Sequence, residues 1–210
     1  IFYYKKKFWI AMINFFQRLI SSLFLGPIFL YALYLGNLYL NIFLSIVFFS
    51  SSYEIYTNIN QKKFKILMYI LLIFFIYSVI KLRGDDFFSF IYITWIVILV
   101  WLSDIGGYIC GKLIGGIKLS KYSPNKTISG LIGSIVFSQL SIVILILYIP
   151  KLDINFNLII LQFVICLISI LGDIFFSIVK RLNNIKDYSQ FIPGHGGVLD
   201  RIDGLIFVII

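Results

Sequence analysis

A chain of 210 residues with 60% hydrophobic and 19% aromatic residues and a mean hydropathy of +1.00 is too apolar for a soluble globular domain. In such a chain a net charge of +9 reads as basic loops beside anionic headgroups, not as a nucleic-acid surface. The two cysteines, Cys110 and Cys166, lie far apart in apolar surroundings, which excludes a disulfide framework or a zinc site.

A membrane-crossing helix needs about 20 mostly apolar residues, so the length accommodates roughly six or seven spans and no separate soluble domain. Residues 1–17 are a basic and aromatic lead-in, with Lys5, Lys6 and Lys7 before Phe8 and Trp9. They read as an interfacial anchor, and Ile1 in place of Met points to a start further upstream. The first span is expected at 19–36 and carries Gly26-Pro27, a kink that neighbouring helices can satisfy. Further spans are expected at 38–53, 66–80, 87–102, 130–149 and 157–179. A last apolar start at 202–210 is too short to cross about 30 Å of hydrocarbon at 1.5 Å per residue, which suggests a truncated C-terminus. The expected fold is therefore an all-α polytopic membrane protein with about seven transmembrane helices, in one membrane domain over residues 1–210. Two polar loops, about 103–129 and 180–201, interrupt it.

Charge gives the orientation. Fifteen of the 18 lysines and arginines fall on the N-terminus and on the loops around 62–65, 112–126 and 180–201; Lys81, Arg83 and Lys151 fall on the other side. Positive residues concentrate in cytoplasmic loops, so the N-terminus and both polar loops are expected in the cytoplasm.

The stretch Leu171–Gly204, which contains the second loop, holds four of the nine acidic residues, Asp173, Asp187, Asp200 and Asp203, together with His195, the single histidine. Asp173, Ser177 and Lys180 share one helical face at i, i+4 and i+7. A carboxylate in so apolar a run should face a polar cavity, or else form a structural pair with the lysine. Asp200 and Asp203, with Arg201 between them, suit a magnesium triphosphate, which needs oxygen ligands and cations. They equally suit acids at a helix N-terminus. Pro193-Gly194-His195-Gly196-Gly197 is a bend whose glycines let backbone N–H groups approach phosphates.

The run Ser177-x2-Lys180-Arg181-x4-Lys186-Asp187-x5-Pro193-Gly194-His195-Gly196-Gly197-x-Leu199-Asp200-Arg201-x-Asp203 closely resembles the signature of the phosphatidate cytidylyltransferases, or CDP-diacylglycerol synthases. The stretches Ser103-Asp104-Ile105-Gly106-Gly107-Tyr108 and Ser123-Pro124-Asn125-Lys126-Thr127 resemble that family's second region. The resemblance implies a magnesium-dependent transfer of a cytidylyl group from CTP to phosphatidate, giving CDP-diacylglycerol and pyrophosphate. It implies Asp173, Asp200 and Asp203 at the metal, with Lys180 and Arg201 completing the catalytic group. Asp187 would support the acids at the metal, and Lys180, Arg181, Lys186 and Arg201 would hold phosphates. Ser103, Asp104, Lys126, Thr127, Ser177, His195, Gly196 and Gly197 would contact substrate, His195 as a phosphate donor or a structural residue. It further implies residence in the cell's inner (plasma) membrane among its lipids, and is compatible with a homodimer. The chain departs from the family pattern at Ser129 and Phe176, where the family usually has Glu. The alternatives are a CTP-dependent kinase of a lipid alcohol, which would need His195 or an aspartate as base, an inactive relative, and a transporter with Asp173 in an ion path.

Three further patterns are set aside. Gly106-x4-Gly111-Lys112 lacks the Ser or Thr of a phosphate-binding P-loop. Gly107-x3-Gly111 and Gly111-x3-Gly115 resemble helix-packing motifs but fall beyond the expected span. Asn125-Lys126-Thr127 is a glycosylation sequon on the side expected to be cytoplasmic.

Overall fold

The computed structural model describes residues 24–119, 123, 126–149, 155–192 and 196–210. The lead-in at 1–17 and the cationic loop residue Lys121 lie outside them, as do Pro193, Gly194 and His195. The described chain is helical: α1 (Phe24–Leu35), α2 (Asn37–Asn58), α3 (Lys62–Arg83), α4 (Phe87–Leu113), α5 (Ile128–Gln139), α6 (Ile142–Tyr148), α7 (Phe156–Leu182) and α8 (Leu199–Ile209). Among the described residues the only β pairing is two isolated bridges, Lys118 with Thr127 and Ile192 with Gly196.

Five helical segments are long and apolar enough to cross a membrane: α2, α3, α4, the α5–α6 pair and α7. The protein is thus an all-α polytopic membrane protein, with five such segments described against the seven expected. The remaining two expected spans correspond to α1 and to the 11-residue α8.

Local chemistry sets the helix ends. Asp86 and Asn155 cap α4 and α7 by accepting from Ser89 N and Leu158 N. Asn184, at φ +59°, ends α7 in the left-handed conformation that asparagine tolerates. At the far end of the bundle Arg83 donates to the carbonyls of Leu33 and Tyr34, satisfying the C-terminal end of α1. The segment 128–148 is broken at Leu140–Ser141, where buried Gln162 of α7 donates to the Ser141 hydroxyl. Ser138 in the preceding turn donates its hydroxyl to the Ile135 carbonyl, a back-bond of the kind that bends helices.

The first polar loop proves half helical. α4 runs on through Ser103, Asp104 and the glycines to Leu113, and those glycines pack against α5. A Cβ at Gly106 would overlap the Gly133 carbonyl, and one at Gly133 would lie 2.5 Å from Cys110. A Cβ at Gly107 would lie 2.6 Å from the Ser134 hydroxyl. Of the two spacings set aside in the sequence, Gly107-x3-Gly111 is therefore a packing motif, since without side chains between them the two backbones close up, whereas a Cβ at Gly115 would meet nothing within 4 Å. A second close contact joins α7 to α8. A Cβ at Gly172 would lie 2.9 Å from Phe207, and one at Gly204 would lie 2.7 Å from Ser169.

Because consecutive helices alternate in direction, the ends of α2, α4 and α7 and the starts of α3, α5 and α8 meet at one end of the bundle. The α4–α5 and α7–α8 contacts then bring Asp104, Lys126, Asp173 and Asp203 to a common space.

Candidate active site

That space is a cavity of about 360 Å³, open at the polar end of the bundle. α4 contributes Asp104, Gly107 and Tyr108, and the segment before α5 contributes Lys126 and Thr127. α7 contributes Asp173 and Lys180, the following loop Asp187, and α8 contributes Asp200, Arg201 and Asp203. The two polar regions therefore build one site, as their common side of the bundle requires.

Two ion pairs organise it. Lys126 pairs with Asp173, tying the segment before α5 to α7. Lys180 pairs with Asp200 at 2.6 Å, tying α7 to α8. The second Asp200 oxygen accepts from the backbone N–H groups of Tyr188 and Gly197, each at 2.9 Å. Its side chain is only 4% exposed, and both of its oxygens are engaged. Asp200, expected as a metal ligand, lines the cavity and in this structure is the hub that folds the loop onto α8.

Asp104, Asp173 and Asp203 lie within electrostatic reach of one another, with Lys126, Lys180 and Arg201 as their neighbouring cations. Among the described residues no group of three acid, histidine or cysteine side chains is close enough to hold a metal as a complete protein cage. Magnesium does not require one, since it keeps several waters and commonly uses one or two carboxylates plus substrate phosphates. The hard oxygen donors facing the cavity fit that mode of binding.

The other expected residues divide. Ser103 is fully buried between helices, 3.3 Å from the Cys166 sulfur, and its carbonyl accepts from Ser134; it does not reach the cavity. Thr127 lines the cavity, but its hydroxyl caps α5 by accepting from Gly130 N at 3.1 Å. Ser177 is half-buried and, with exposed Arg181 and Lys186, is outside the cavity lining. Arg181 instead donates to the Ile185 carbonyl. Gly196 takes φ +88°, a backbone that suits glycine and turns the chain back toward Ile192. His195 lies outside the described residues.

The two departures from the family pattern have structural partners. Phe176 is fully buried against Phe175, Tyr188 and Phe207. The Tyr188 hydroxyl donates to the Phe176 carbonyl, and burial with the nearby Asp200 carboxylate pushes the phenol above its usual range, so it stays a donor. The Ser129 hydroxyl donates to the Gly115 carbonyl, closing the start of α5 onto the end of α4.

Glu54 of α2 was missed by sequence reasoning. It is fully buried, and its carboxylate accepts from Ser189 Oγ at 2.6 Å, Val198 N at 2.8 Å and Leu199 N at 2.9 Å. The α2–α3 turn also holds the other end of this loop, because Asn183 Oδ1 accepts from the N–H groups of Asn60 and Gln61. The available signal was a lone acid in the run Phe48–Ile59.

Residues 62–210 match the model of the Cytidylyltransferase family. A phosphatidate cytidylyltransferase of Staphylococcus haemolyticus is 41% identical over 122 residues, which is 56% of this chain and 46% of that protein. Its counterpart in Brucella suis biovar 1 is 38% identical over 130 residues, 61% of this chain and 48% of that protein. The Staphylococcus aureus (strain COL) protein of that name is 43% identical over 122 residues, 56% of this chain and 46% of its own length. The matched regions thus span about half the length of these relatives.

Proposed function

Because the chain belongs to the Cytidylyltransferase family, we propose that it transfers the cytidylyl group of CTP to phosphatidate, giving CDP-diacylglycerol and pyrophosphate. The observation that carries this reading is the cavity itself: carboxylates and cations from three helices converge at the polar end of an apolar bundle. A lipid can keep its acyl chains in the bilayer there while its phosphate enters beside a nucleotide.

In the proposed reaction a phosphatidate oxygen attacks the α-phosphorus of CTP. One P–O bond forms, the bond between the α-phosphorus and the bridging oxygen breaks, and pyrophosphate leaves with the electron pair. The attacking phosphate is already anionic, so no base need remove a proton. The protein's work is orientation and charge neutralisation. Lys126, Lys180 and Arg201 are the cations at the cavity, placed to balance the triphosphate. Asp173 and Asp203, with Asp104, are the groups proposed to hold magnesium, which would supply a counter-charge for the phosphates. The proposed setting is the cytoplasmic side of the plasma membrane.

The reading is tested with CTP labelled separately at the α- and γ-phosphates. Label from the α position should enter a lipid product, and label from the γ position should leave as pyrophosphate. Transfer of γ label to a lipid alcohol would replace this reading with a lipid kinase.

A further inference from the structure

Glu54 lies on α2, ahead of the residues matched by the family model and outside both polar loops. A fully buried carboxylate is costly unless donors replace its water. Here they come from both flanks of one segment: Ser189 on one side, Val198 and Leu199 on the other. The two backbone donors stand at the start of α8, where N–H groups lack helical partners and the helix dipole favours an anion. The space is closed as well, since a Cβ at Gly197 would lie 2.7 Å from Glu54 Oε1. Contact between the rings of Tyr53 and Phe191, centroids 5.5 Å apart, holds the same segment to α2.

This geometry has a consequence for the cavity. Asp200 and Asp203 are carried on the first turns of α8, and Lys180 is held through Asp200. Where α8 begins therefore decides where these groups stand. Asp200 secures the loop from the α8 side through Tyr188 N and Gly197 N; Glu54 secures it from α2. We propose that Glu54 is a positioning residue for the transfer reaction: it fastens Ser189 and the start of α8, at Val198 and Leu199, to α2 and so sets the register of Asp203 and Lys180 in the cavity. The proposal rests on the cytidylyl-transfer reading for its kinetic consequence, but not for its structural one.

The test uses the full-length protein in mild detergent, with Glu54→Gln, Glu54→Asp and Ser189→Ala. Glu54→Gln should lower kcat/KM for CTP about tenfold or more, with part of that loss in KM, because the triphosphate-facing groups are displaced. Simple loss of folded protein would lower kcat and leave KM unmoved. Glu54→Asp, which keeps the charge, should recover part of the activity. Ser189→Ala removes one donor without stranding a buried one, and should shift KM in the same direction by about threefold. In parallel, trypsin cleavage after exposed Lys186 should be about tenfold faster in Glu54→Gln, because the loop opens more often. If Glu54→Gln does not fold, Ser189→Ala decides both arms. Unchanged KM together with unchanged cleavage in the folded variants would overturn the proposal. If the unsubstituted protein forms no CDP-diacylglycerol, the functional reading fails and cleavage alone decides the role of Glu54: faster cleavage keeps it as the anchor of the loop, and unchanged cleavage removes it.

Discussion

Asp200→Asn separates a structural acid from a reacting one. In the native site one Asp200 oxygen takes the Lys180 ammonium and the other takes two backbone N–H groups. An asparagine has one acceptor oxygen, so it cannot serve both sides. If it keeps the backbone bonds, its amide N–H faces the ammonium of Lys180, whose side chain is only 11% exposed. Removing one partner of a buried pair costs about 3–5 kcal/mol. Because native stability is itself only about 5–15 kcal/mol, the thermal midpoint should fall by roughly 10 °C. The assay is unfolding in mild detergent, followed by the fluorescence of Trp95 and Trp101. Lys180→Met combined with Asp200→Asn removes the stranded charge and should recover part of the loss. A single Asp200→Asn variant that melts like the parent yet has lost turnover would refute this reasoning and return Asp200 to the reaction centre.

Two further outcomes follow from the packing and the charge. Gly133→Ala would ordinarily gain helix propensity, but its Cβ would lie 2.5 Å from Cys110. It should instead destabilise by about 1–3 kcal/mol, seen as a lower thermal midpoint. For topology, Gln190 is exposed in the loop before α8. A cysteine placed there, in a Cys110→Ser, Cys166→Ser background, should react with an impermeant maleimide only after cells are opened. Labelling of intact cells would reverse the orientation argued from charge.

The helices and the acid-rich end of the chain were legible because apolar runs and a dense charged patch are local features of sequence. The extension of α4 was not. Gly106, Gly107 and Gly111 read as loop formers, since glycine disfavours helix in isolation. What holds them in a helix is the close approach of α5, including Gly130 and Gly133, which only the fold reveals. The roles of the acids were partly legible. Asp173, Asp200 and Asp203 all line the cavity, but the sequence did not show that Asp200 also takes Lys180 and two backbone amides. Glu54 was invisible as a site residue because its partners lie 135 to 145 residues away along the chain. Asp104 opens to the cavity, while Ser103, one position back, turns toward α7, a difference the motif alone does not show.

The most direct test is the turnover of Asp203→Asn in CTP- and phosphatidate-dependent transfer at saturating magnesium. Asp203 lines the cavity and, unlike Asp200, holds no ion pair among those resolved; its one hydrogen bond given by the structure is from adjacent Gly204 N. Folding should therefore survive, with a thermal midpoint close to the parent's. Turnover should fall by a hundredfold or more, about 2.7 kcal/mol of lost transition-state stabilisation at 1.36 kcal/mol per tenfold. Near-normal turnover in a normally folded Asp203→Asn protein would contradict the account, because the cavity would then not be where the transfer occurs.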